Sequence, residues 1–147
     1  MRFISIVLAI VLLVGCTTSG KKFPETAGNL AVSPDKSRVV VYRSRQDALS
    51  STTILVLDNG VAKGILNIGE FGIYDTDPGE HEIYTDETGT KGRKARISMK
   101  PGETYYVKFT VYDSYLLRFI SAVFISDEVA EKDALRDLPE LHGKSKS

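Results

Sequence analysis

Residues 93–112 read Arg93-Lys94-Ala95-Arg96-Ile97-Ser98-Met99-Lys100-Pro101-Gly102-Glu103-Thr104-Tyr105-Tyr106-Val107-Lys108-Phe109-Thr110-Val111-Tyr112. Before Pro101-Gly102, Ala95, Ile97 and Met99 alternate with Lys94, Arg96, Ser98 and Lys100. After it, Tyr105, Val107, Phe109 and Val111 alternate with Thr104, Tyr106, Lys108 and Thr110. Successive side chains of a strand point to opposite faces, so each run predicts a strand with one apolar and one wet face. Proline fixes φ at the first central position of a type II turn, and glycine supplies the positive φ of the second. Two alternating runs about such a turn, with no helical period between them, mark the domain as all-β.

The same signals extend in both directions. Upstream, Arg38-Val39-Val40-Val41-Tyr42-Arg43 is apolar on both faces, as a central strand would be. Residues 53–57 run into Asp58-Asn59-Gly60, where Asn59 and Gly60 suit the positive φ angles of a type I′ hairpin turn. The return strand covers 61–68, with Gly64 at a bulge. Strands at 71–76 and 80–86 flank a further turn at Pro78-Gly79. Downstream, 120–126 reads as another strand. A helix follows at 128–138, capped by Asp127, stopped by Pro139, and apolar along Ala130, Ala134 and Leu138 with Leu135 beside them.

About seven to eight strands at short spacing predict an antiparallel β-sandwich of immunoglobulin-like form with one short C-terminal helix. A small barrel is the alternative. The pattern disfavours a doubly wound fold, because no helix separates the strands.

The first sixteen residues have a different character. Arg2 precedes a nearly unbroken apolar run, Phe3 to Val14, which is too short for the ~20 residues a membrane span needs. A positive start and a short apolar core make a secretory signal peptide. Leu13-Val14-Gly15-Cys16 resembles the lipobox of bacterial lipoproteins, which implies cleavage before Cys16 and diacylglycerol on its thiol. Each buried CH₂ contributes ~0.8 kcal/mol, so two or three acyl chains anchor the protein stably. Thr17 stands where aspartate would retain a lipoprotein in the inner membrane, which points to the outer membrane facing the periplasm. The expected organisation is a signal peptide at 1–15, a lipidated cysteine and flexible tether at 16–36, a sandwich with its helix at 37–138, and a polar tail at 139–147. The tether's polar stretch from Thr17 to about Ser33, about 17 residues, spans roughly 20–25 Å.

Composition narrows the function. Of 147 residues, 42% are hydrophobic, enough for a core. Lys+Arg and Asp+Glu are 19 each, so the chain lacks the basic footprint that nucleic acid requires. Cys16 is the single cysteine, leaving the mature domain no disulfide and no cysteine metal site.

Four stretches together resemble a bacterial lipoprotein family classed as a domain of unknown function, the twenty-eight forty-six family. They are Val39-Val40-Val41-Tyr42-Arg43, Val56-Leu57-Asp58-Asn59-Gly60, Pro78-Gly79-Glu80-His81-Glu82-Ile83 and Pro101-Gly102-Glu103-Thr104-Tyr105-Tyr106-Val107. The paired turns more remotely resemble the PEGA class of β-sandwich modules. The resemblance implies a fold and a compartment and transfers no catalytic residue.

Candidate chemistry is sparse. Asp75-Thr76-Asp77-Pro78-Gly79-Glu80 has glycine at its fifth position and proline at its fourth, unlike a calcium loop. His81 reads as a partly buried strand residue, and adjacent Glu82 points to the opposite face. No catalytic set, metal site or cofactor is expected. Two stretches offer candidate contact surfaces. One is the basic wet face of Lys94, Arg96 and Lys100, whose plain reading is a solvated face balanced by the acidic loops. The other is Tyr112 with Tyr115 at the rim of an apolar stretch, residues 112–120, whose plain reading is core under the C-terminal helix. The resulting expectation is a non-catalytic envelope module, held to the membrane by lipid, that binds an envelope protein or polymer. The alternatives are a periplasmic enzyme and a carrier of a small apolar ligand.

Overall fold

The computed structural model describes residues 31–45, 52–85, 93–114 and 121–143, with side chains at 112–114 and 121–126 outside that description. Strand β1 (Ser37–Arg43) lies at the middle of one sheet, and all seven of its residues are buried. The reason is in the sequence: a strand apolar on both faces is stable only where both faces are covered. Its neighbours are β4 (Glu70–Thr76), antiparallel, and β7 (Thr104–Ser114), parallel. β8 (Ser121–Val129) pairs with β7, and β9 (His142–Gly143) pairs with β4, giving the order β8-β7-β1-β4-β9. The second sheet contains β2 (Ile54–Asp58), β3 (Val61–Leu66), β5 (Gly79–Thr85) and β6 (Ala95–Met99), in the order β3-β2-β5-β6 and antiparallel throughout.

Two cores result. Val39 and Val41 of β1 join Ile54, Ile83, Ile97 and Phe109 between the sheets. Val40 and Tyr42 point the other way, against Tyr106, Phe71, Leu138 and Leu141. Each fully buried large apolar side chain contributes about 1.5–3 kcal/mol over leaving it in water. The second core is closed by helix α1 (Glu131–Asp137) and a 3₁₀ turn, Leu138–Glu140.

That second core overturns several expectations. Tyr106 was expected on the wet face of its strand but is 7% exposed, because the C-terminal segment lies across that face. Asp127 is not the helix cap: β8 continues to Val129, the N-cap residue is Ala130 without a side-chain hydrogen bond, and Asp127 pairs with Arg93 at 2.6 Å. Leu135, expected beside the docked face, is 43% exposed. The polar tail expected from residue 139 instead starts with the 3₁₀ turn, buried Leu141 and β9. Burial of Leu138 and Leu141 outweighs the polarity around them.

The turns also separate. Asn59 and Gly60 take φ of 47° and 82°, as a type I′ hairpin requires, between β2 and β3. In β3, Gly64 lies opposite Val56 and Ala62 opposite Leu57, so Lys63 is the extra residue of a bulge. Gly102 has φ 78°, and Glu103 N–H donates to the Lys100 carbonyl at 3.4 Å across Pro101-Gly102. Pro78-Gly79 differs: Gly79, φ 133°, is already the first residue of β5, opposite Met99. Both Pro-Gly pairs lie where the chain crosses from one sheet to the other, not between paired strands. Within the expected tether, Lys36 N–H donates to the Ser33 carbonyl and Lys36 Nζ reaches Asp77 at 2.5 Å, so residues 33–36 turn into the domain.

Candidate functional site

A buried polar constellation lies at the end of the sandwich where the chain enters. β2 ends at Asp58 as it meets the Asn59-Gly60 turn, and β5 brings in His81. Asp58 is 2% exposed and His81 8%. His81 Nδ1 is 2.6 Å from Asp58 Oδ1, and Nε2 is 2.9 Å from the Asp77 carbonyl oxygen. A carbonyl oxygen only accepts, so Nε2 carries a hydrogen, and a second hydrogen lies between Nδ1 and Oδ1. Tyr74 on β4 completes the group. Its hydroxyl and Asp58 Oδ2 are buried, and among the described residues neither has a partner in full hydrogen-bonding geometry. Burial first, and then the charge and hydrogen-bonding approach of the nearby Asp58 carboxylate, push the Tyr74 hydroxyl far above its ordinary pKa. Lys63 Nζ lies 5.1 Å from the ring centre of Tyr74.

This geometry limits what the group can do. A general base must offer a free nitrogen to a reactant. Both nitrogens of His81 are engaged, one by a side chain and one by the backbone. His81 thus ties β5 to the end of β2 and to the crossing after β4. The acidic residues beside it are engaged as well: Asp75 takes both Arg38 Nε and a terminal guanidinium nitrogen, at 2.8 and 2.9 Å, and Asp77 takes Lys36. Among the described residues, no three His, Cys, Asp or Glu side chains gather as a metal ion would need.

The basic face has its expected orientation. Lys94, Arg96, Ser98 and Lys100 are exposed while Ala95, Ile97 and Met99 are buried. Glu82, on neighbouring β5, accepts from Lys94 at 3.0 Å and from Arg96 at 2.9 Å. Those two bonds hold the Glu82 carboxyl below its ordinary pKa. Lys94 Nζ also lies 4.2 Å from the ring centre of Tyr84. Lys100 is apart from this cluster, with its backbone N–H donating to the Tyr105 hydroxyl, which donates to Glu103. On the same sheet, Leu55 and Ile65 are opposite one another on β2 and β3, at 37% and 45% exposed.

Tyr112 lies in β7 opposite Val123 of β8. Tyr115, like Leu13, Val14, Gly15 and Cys16, is outside the described residues. Sequence reading found His81 but not its partners. Asp58 reads as turn chemistry, and Tyr74 comes from the opposite sheet, so only the tertiary fold reveals the group. No protein-family model, curated protein or solved structure matches the chain.

Proposed function

We propose that this protein is a lipid-anchored envelope lipoprotein, held in the outer membrane facing the periplasm, whose β-sandwich supports or binds another envelope component without chemistry of its own. The anchor reading rests on Leu13-Val14-Gly15-Cys16 directly after the apolar run. The non-catalytic reading is carried by the closed Asp58–His81 pair, whose imidazole has no nitrogen to spare. The Glu82–Lys94–Arg96 cluster with Tyr84, on the same sheet as exposed Leu55 and Ile65, supplies the mixed polar and apolar groups that interfaces use. Crosslinking in intact cells, with the captured species identified, tests the binding reading. A partner lost in a Lys94→Glu, Arg96→Glu variant of unchanged melting temperature is the expected result. Capture unaffected both by that variant and by Tyr112→Ser with Tyr115→Ser would reject both contact surfaces.

A further inference from the structure

Among the described residues the two sheets have four outer strands, and three of them are guarded. β9 is two residues long. β3 has a bulge with Lys63 in mid-strand. β6 is five residues long, displays Arg96, is flanked by Lys94 and Lys100, and is followed by Pro101. Short length, bulges, lysine and proline are the devices that keep one sheet edge from pairing with another. β8 is nine residues long, and its first six have none of these. Ser121-Ala122-Val123-Phe124-Ile125-Ser126 contains no charge, proline or glycine. Charge begins at Asp127 and Glu128, where Arg93 already holds Asp127. Among the described residues, β8 ends its sheet and pairs with β7 alone.

The register leaves this stretch room. Arg43 opposite Phe109 is the last pair between β1 and β7, and Phe109 in turn faces Ser126. The pairs from Thr110 with Ile125 to Ser114 with Ser121 therefore run on past the end of β1.

We propose that the edge at residues 121–126 is a dimer interface, where β8 pairs antiparallel with β8 of a second copy. An edge strand presents alternating N–H and C=O groups that another strand satisfies best. The segment is its own complement. Centred between Val123 and Phe124, the pairing sets Ser121 opposite Ser126 of the second copy, Ala122 opposite Ile125, and Val123 opposite Phe124. By register position, polar residue types fall opposite polar and apolar opposite apolar, and every pair occurs twice. Such an isologous contact closes at two copies instead of extending into a fibre. Sliding the register toward the C-terminus sets Asp127 opposite Ala122, and a further slip sets Asp127 and Glu128 opposite Phe124 and Val123, which favours the centred pairing.

The test uses the full mature chain from residue 16 with Cys16→Ser, so that it stays in solution without its lipid. Sedimentation over a wide concentration range should show the mass doubling, and amide exchange should slow at residues 121–126 as the dimer forms. Val123→Lys should keep the chain monomeric at concentrations where the parent has dimerised. A mass that never rises above the monomer overturns the proposal. So does a dimer that survives Val123→Lys, or whose exchange protection appears on β3 or β6. If Val123→Lys fails to fold, the exchange pattern of the parent decides alone.

Discussion

His81 Nδ1 meets Asp58 Oδ1 at 2.6 Å although 23 residues separate the two, and both side chains are nearly inaccessible to water. The contact fastens the start of β5 to the end of β2, beside the crossing that brings the chain from one sheet to the other. Truncating one member of a buried pair leaves the other polar group without its partner. His81→Ala and Asp58→Ala should therefore each cost about 3–5 kcal/mol in urea unfolding. A double-mutant cycle should return a large coupling between them. Additive costs would mean the contact is incidental.

Gly102 occupies φ 78° and Gly60 φ 82°, where a β-branched residue is strained whatever the space around it. Gly102→Val and Gly60→Val should each destabilise the domain by about 1–3 kcal/mol, read as a lower melting temperature. Gly102→Ala should already carry much of that loss, because φ strains any Cβ there while no atom lies within 4 Å of it to add a packing cost. A Gly102→Ala variant as stable as the parent would remove φ as the cause.

Leu138 is completely buried in the core beneath α1, and Lys108 Nζ reaches Asp137 at 2.8 Å beside it. Leu138→Ala should cost about 2–5 kcal/mol. Because Tyr42 and Tyr106 share that core, tyrosine fluorescence and near-ultraviolet dichroism should change together with stability. A near-neutral Leu138→Ala would show that the C-terminal segment is not an integral layer.

Asp137 is held below its ordinary pKa: burial acts to raise it, and the Lys108 and Arg136 contacts outweigh burial. Asp77 is lowered by its hydrogen bond to Lys36. A carboxyl whose folded pKa is depressed stabilises the fold above the unfolded value and loses that stabilisation as pH falls through the folded one. Stability should therefore decline below about pH 4, and less steeply in Asp137→Asn. Titrated melting temperatures check this, and an unchanged slope in the variant would remove Asp137 from the account.

The local sequence determined the strands, the hairpin at Asn59-Gly60 and the two Pro-Gly breaks, because period-two alternation and positive φ are properties of neighbouring residues. It also determined that β1 is central, since Val39, Val40, Val41 and Tyr42 leave no face for water. Which strands pair was decided by the tertiary structure. Pro78-Gly79 looks locally like a hairpin turn, yet β4 and β5 belong to different sheets, a choice made by how the apolar faces close on one another. Tyr106 belongs by period to the wet face of β7 and is dry only because Leu138 and Leu141 need somewhere to bury. Asp58, Tyr74 and His81 lie on three strands from both sheets. Their meeting is a consequence of packing, which no spacing along the chain encodes.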